Sequence, residues 1–98
     1  MKNVNTEVTE ITLTFHTDPG HGWLEVPASM AKQYLRDKYC QISCYSYQKN
    51  DVLFLEEDCD ASLFLTALAA ENIKLHLKRQ YLEITPIRGY KSFNSHVH

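Results

Sequence analysis

From Glu10 the chain alternates apolar and polar positions, with Ile11, Leu13 and Phe15 set against Thr12, Thr14 and His16. A period of two with β-branched residues on the polar side predicts a half-buried strand. "DPGHG" then supplies a proline and two glycines, enough to reverse the chain. "WLEV" resumes the alternation, with Leu24 and Val26 on one side and Trp23 and Glu25 on the other, so the two segments predict a hairpin. After Pro27, which suits the first turn of a helix, Met30, Ala31, Tyr34 and Leu35 recur at helical spacing opposite Lys32, Arg36 and Asp37. "SCYSYQ" and "VLFLEE" read as two further strands around a tight "KND" turn, and Tyr45 and Tyr47 share a face on the first. A second helix is expected from about Asp60 to Glu71. "ASLFLTALAA" is apolar on nearly every side, which marks it as the most buried element. Asp58 or Asp60 can cap its start, and Asn72 can end it in a left-handed conformation. "IKLHLK" alternates again as a fifth strand, and "YLEIT" can extend it.

Hairpins separated by helices predict an α+β fold of order ββαββαβ, with two helices packed on a mainly antiparallel sheet of four to five strands. Residues 1–7 read as a loose N-terminus, 8–86 as a single α+β domain and 87–98 as an irregular C-terminal tail. No repeat, low-complexity run or linker interrupts the domain.

Composition narrows the function classes. The chain has 98 residues, 44% of them hydrophobic, enough for one small core. A net charge of −2 creates no field that would recruit nucleic acid. No apolar run reaches membrane-span length and the N-terminus lacks a signal-peptide core, so a cytoplasmic protein without membrane contact is expected. Cys40, Cys44 and Cys59 form an odd set without CxxC spacing, which predicts reduced thiols rather than a disulfide scaffold or a zinc knuckle.

Candidate chemistry gathers in two segments. In "HTDPGHGW", His16, Asp18 and His21 are of metal-ligating type, but their spacing matches no helix-borne ligand pair. Asp18 bonding backbone N–H groups within an Asp-Pro-Gly turn accounts for the same residues. Trp23 on the polar face of its strand wants a partner surface or the flat face of a ligand. "LEEDCDA" places four carboxylates within five residues. Helix capping accounts for Asp58 and Asp60 but less well for Glu56 and Glu57, of which Glu57 is the stronger site candidate. Cys59 between aspartates reads as a buried, inert thiol. Tyr45 and Tyr47 can form a stacking platform, and in the tail Arg88, beside Tyr90 in "IRGY", can meet an anion.

"TDPGHGWLEVP", "YSYQ", "LFLEEDCDASLFL" and "TPIRGYKSF" resemble a family of small uncharacterised proteins from bacteriophages and bacterial mobile elements. The resemblance spans about Phe15 to Phe93 and fades in "NIKLHLKRQYLEI". It implies an accessory protein acting in a bacterial host, of the kind that counters a host defence. Such a protein binds and blocks a host protein, or sequesters a nucleotide-like ligand, without turnover. The expected ligand-binding residues are Thr17, Asp18, His21, Trp23, Tyr45, Tyr47, Glu57, Asp58, Arg88 and Tyr90. No catalytic residue, metal ligand or cofactor is assigned, and a homo-oligomer is expected to complete the pocket. Truncating Trp23 is expected to abolish binding and spare the fold. The alternative is a small metal-assisted hydrolase using the His16/Asp18/His21 turn with an acidic residue near Glu57.

Overall fold

The computed structural model describes residues 9–94, so the loose N-terminus expected over 1–7 and the terminal "HVH" imidazoles lie outside the described residues. The elements are β1 (Glu10–Thr17), β2 (Gly22–Pro27), α1 (Ala28–Leu35), a 3-10 segment (Arg36–Gln41), β3 (Tyr47–Lys49), β4 (Val52–Glu56), α2 (Ala61–Ala70), β5 (Lys74–Tyr81), a 3-10 turn (Pro86–Gly89) and β6 (Lys91–Ser92). Among the described residues the fold is α+β, with two helices and one six-stranded sheet of order β5-β1-β2-β4-β3-β6.

Four of the five strand pairings are antiparallel, while β5 runs parallel to β1. The expected four to five strands become six because β6 forms within the segment expected to be an irregular tail, and the one parallel pairing follows from connectivity. A strand–helix–strand crossover returns the chain in its original direction. α2 carries the chain from β4 over β2 and β1 to the far edge, where β5 lies along the whole of β1, Glu10 opposite Lys74 through Thr17 opposite Tyr81.

Alternation divides the sheet into two faces. Leu13, Leu24, Val26, Leu53 and Leu55 point one way and pack with Ala31 and Leu35 of α1 and Phe64 and Leu68 of α2. This is the main core. α2 stops where Asn72 adopts φ 58°, with Asn72 N–H donating to the Ala69 carbonyl and Ile73 N–H to that of Leu68. Those bonds satisfy the last carbonyls of the helix. Among the described residues no helix is long and apolar enough to cross a membrane.

The opposite face carries Trp23, Phe54 and Tyr47, and it is not left to solvent. Residues 85–93, expected to fall mostly in an irregular tail, fold across it as a strap. Ile87 buries itself against Trp23 and Phe54, and Tyr90 packs beside them. Thr85 Oγ1 accepts from Ile87 N–H at 3.3 Å and Pro86 occupies the first turn, which presets the strap's bend. β6 then pairs with β3, and Phe93 continues into the main core, edge-on to Tyr39 with ring centroids 5.4 Å apart. The strap thus converts a half-exposed sheet into one covered on both sides over β2, β4 and β3.

Candidate functional site

The site is built from the β1–β2 turn. Asp18 N–H donates to the His21 carbonyl at 3.0 Å, and Asp18 Oδ1 accepts from Gly20 N–H at 2.9 Å and His21 N–H at 2.8 Å. This is the side-chain-capped turn that its residue types favour. Arg88, reaching over from the strap, donates through Nε to Asp18 Oδ2 at 2.5 Å and through Nη2 to Oδ1 at 3.0 Å. Two parallel bonds of this kind fix geometry as well as charge. The Arg88 guanidinium is the largest influence on Asp18; with the two backbone N–H groups it outweighs desolvation and holds the carboxyl well below the usual carboxylate range. Gly22 follows because there is no space for a side chain: a Cβ there would come within 2.6 Å of Phe15 Cζ.

The unfolded chain binds a proton at Asp18 more readily than the folded one. The clamp therefore contributes stability that is complete above the ordinary aspartate value near pH ~4 and declines as pH falls below it. The gap in urea midpoint between wild type and Asp18→Asn is expected to narrow as pH is lowered from 7 to 3. A gap that stays constant with pH would show that the ion pair contributes nothing.

Beyond the turn, the cross-strand register sets the next wall. Trp23 lies opposite Glu56, so both share the strap-covered face. His21 Nδ1 sits 3.0 Å from Glu56 Oε2, and Glu56 Oε1 accepts from Asp58 N–H at 2.8 Å. Burial pushes the Glu56 carboxyl up, but bonds from His21, Asp58 N–H and the Cys59 thiol together outweigh it, so the group is held below its ordinary value. The Cys59 thiol is pushed up, first by desolvation and then by Glu56 and the neighbouring Asp60 and Asp58 charges. A thiolate is therefore disfavoured, and Cys59 is a poor nucleophile, although it is exposed at the β4–α2 turn rather than buried as expected.

A second network holds the opposite rim. Asp60 stands at the start of α2, but its carboxylate caps nothing in the helix. It turns instead to the preceding loop, accepting from Ser43 N–H at 3.0 Å, Ser43 Oγ at 2.7 Å and Ser46 Oγ at 2.5 Å. Ser46 Oγ in turn accepts from Glu56 N–H at 2.9 Å. Residues 43–46 are thereby held as a loop, which corrects the expected strand over "SCYSYQ"; pairing begins only at Tyr47.

These parts enclose an open cavity of about 320 Å³ lined by His21, Trp23, Tyr45, Tyr47, Glu56, Asp58, Cys59 and Arg88. Six of the residues expected to bind a ligand line it: His21, Trp23, Tyr45, Tyr47, Asp58 and Arg88. The other four lie elsewhere. Asp18 is committed to the turn and to Arg88. Thr17 pairs with Gly22 and Tyr81 within the sheet. Tyr90 packs on Phe54, with centroids 5.1 Å apart. Glu57 points to the helix side, at a separate cavity with Phe15, Leu65, Leu77 and Arg79.

Glu56 and Cys59 are the lining residues that the sequence reading did not place there. The signal for Glu56 was the alternation of β4, which puts it on the face of Phe54 and opposite Glu57. Among the described residues, one group of three ligating side chains comes together: His21, Glu56 and Asp58, with donor atoms all within 4.8 Å of one another. His16 and Asp18 do not belong to it, because His16 Nε2 pairs with Glu25 Oε1 at 2.6 Å and Asp18 with Arg88.

The arrangement offers aromatic walls, two carboxylates and an imidazole, with Tyr45 exposed at its edge. No protein-family model, curated protein or solved structure matches the chain.

Proposed function

We propose that the protein is a binding protein that sequesters a small ligand in the cavity between the β1–β2 turn, the 43–46 loop, the β4–α2 turn and the strap. The ligand has a flat ring and a polar edge, as a nucleotide does. The observation that carries this reading is Tyr45. It is 67% exposed, the most exposed aromatic ring among the large hydrophobic residues, yet the loop displaying it is anchored by a buried carboxylate and two serine hydroxyls. Such anchoring brings Tyr45 no packing in return, which suits a ring kept ready for stacking.

Two further features support the reading. The cavity lies at the small end of the range for ligand sites, about the size for one base or nucleoside. Each of the four segments that carry the phage-family resemblance contributes to its lining: His21 and Trp23, then Tyr45 and Tyr47, then Glu56, Asp58 and Cys59, then Arg88. An accessory role against a host factor, exercised by holding a signalling nucleotide, is consistent with that resemblance. A metal-assisted hydrolase is the second reading. The His21, Glu56 and Asp58 group favours it, in place of the turn-borne His16, Asp18 and His21 set.

Native mass spectrometry against a panel of nucleotide second messengers tests the proposal. Wild type is expected to gain the mass of one panel member. Tyr45→Ala, which removes no buried contact, is expected to weaken that complex at least about tenfold, the loss of one base–aromatic stack. Equal binding by Tyr45→Ala would move the site elsewhere. Cleavage of the bound nucleotide would favour the hydrolase. A chain that binds no panel member, with or without added divalent salt, would end the nucleotide assignment and leave a host protein as the target.

A further inference from the structure

The charge balance of the cavity does not suit an anionic ligand as it stands. Its floor carries the Glu56 and Asp58 carboxylates, and Arg88, the one cationic lining residue among those described, already gives its Nε/Nη2 edge to Asp18. A phosphate-bearing molecule entering here would meet two carboxylates and a guanidinium whose charge Asp18 already balances. An ion would reverse that sign, because a bound divalent cation is the largest local charge in any site it occupies.

The side chains that would hold it are already assembled. One donor atom from each of His21, Glu56 and Asp58 falls within 4.8 Å of the others. They come from two separate parts of the chain, the β1–β2 turn and the end of β4. Neighbouring ligands at about 2.0–2.2 Å from a metal lie ~3–3.6 Å apart, so the widest pair in the set must close by about an ångström. Asp58 can supply that contraction, since it is exposed and its carboxylate makes no hydrogen bond among the described residues. Glu56 is the fixed member, buried and held by His21 Nδ1 and Asp58 N–H. The His21–Glu56 contact is of the kind an ion replaces or uses, with the carboxylate either ligating beside the imidazole or orienting it from behind. One imidazole with two carboxylates suits a first-row divalent ion such as Mn²⁺ or Zn²⁺ better than Ca²⁺, which takes oxygen ligands throughout.

We infer that His21, Glu56 and Asp58 form a divalent-cation site on the cavity floor, and that the ion supplies the positive charge against which a phosphate group binds. The inference deepens the binding reading and rests on it for the phosphate-bearing ligand. The ion site itself is testable without any nucleotide. It also brings an ion to a cavity for which the residue pattern alone assigned none.

Isothermal titration of the full chain with MnCl₂, and separately with ZnCl₂, is the first arm. One ion per chain is expected, with affinity lowered at least about tenfold in Asp58→Asn and in His21→Gln. Both positions are exposed, and a matching urea midpoint verifies that each variant folds. His16→Gln and the double variant H96Q/H98Q are expected to bind as wild type does, which separates this site from other imidazoles. Failure of wild type to bind either ion, or equal binding by Asp58→Asn and His21→Gln, would overturn the inference. The second arm repeats the nucleotide panel with MnCl₂ and with EDTA. Binding that needs the ion supports its charge role. Nucleotide binding that is unchanged in EDTA overturns that role while leaving the binding reading intact. Ion binding with no nucleotide uptake keeps the cation site and removes the nucleotide reading.

Discussion

Replacing Trp23 with alanine is expected to cost about 3–5 kcal/mol of folding stability, the range for a large aromatic removed from a closed core. Trp23 is 1% exposed. Phe54, Ile87 and Tyr47 surround it, and the Arg88 guanidinium lies 5.3 Å from its ring centroid. This corrects the expectation that the substitution would spare the fold. Trp23 does lie on the strand face opposite the helices, but the strap covers that face, so the ring is core and cavity wall at once. Its indole Nε1–H is buried with no hydrogen-bond partner among the described residues. Trp23→Phe therefore sacrifices no bond and should cost well under half as much as alanine. Urea denaturation followed by far-ultraviolet circular dichroism measures both. An alanine variant within about 1 kcal/mol of wild type would mean that the strap does not pack as described.

Asp60→Ala is expected to cost about 3 kcal/mol or more, because it removes a buried acceptor from three donors and leaves them without partners. Asp60 is 3% exposed, and Ser46, which it binds, is fully buried. The loss should be local as well as global. Hydrogen exchange at the amides of residues 43–46 is expected to quicken by more than global destabilisation explains, and ligand binding should weaken as Tyr45 loses its fixed position. Asp60→Asn keeps the shape but turns an N–H₂ toward hydroxyl donors, so it should fall between wild type and alanine. Unchanged exchange over 43–46 in the alanine variant would contradict the role given to this network.

The elements legible in the sequence were those whose information is local. Alternation in Ile11–Phe15 and Leu24–Val26 identified β1, β2 and their core face. The apolar run of α2 marked a helix and Asn72 its end, but α2 is not the most buried element as expected: only Ala61, Phe64 and Leu68 are buried, Leu65 is exposed, and β4, covered on both faces, is buried more completely. What was not legible depends on pairings between distant residues. The strap has no periodicity to betray it; its position follows from Arg88 meeting Asp18, 70 residues earlier in the chain. The parallel β1–β5 pairing depends on where a crossover lands, which no short window records.

The cavity was partly visible for the same reason. His21, Trp23, Tyr45, Tyr47, Asp58 and Arg88 are conspicuous by type. The choice between Glu56 and Glu57 needed the register that sets Trp23 opposite Glu56. "SCYSYQ" resembled a strand because it alternates, but two of its serines are satisfied by Asp60 rather than by a neighbouring strand. Side-chain bonds of this kind draw a segment out of regular structure.

The chain has a single tryptophan, and it stands on the cavity wall. A ¹H–¹⁵N correlation spectrum therefore contains one indole resonance that reports directly on the site. Titrating the nucleotide panel while following that resonance tests the central claim. A ligand that binds is expected to shift the Trp23 indole signal saturably, together with the amides of His21, Tyr47 and Asp58. Binding that moves the signals of Leu65, Leu77 and Arg79 and leaves the indole resonance still would place the site in the other cavity and contradict the account.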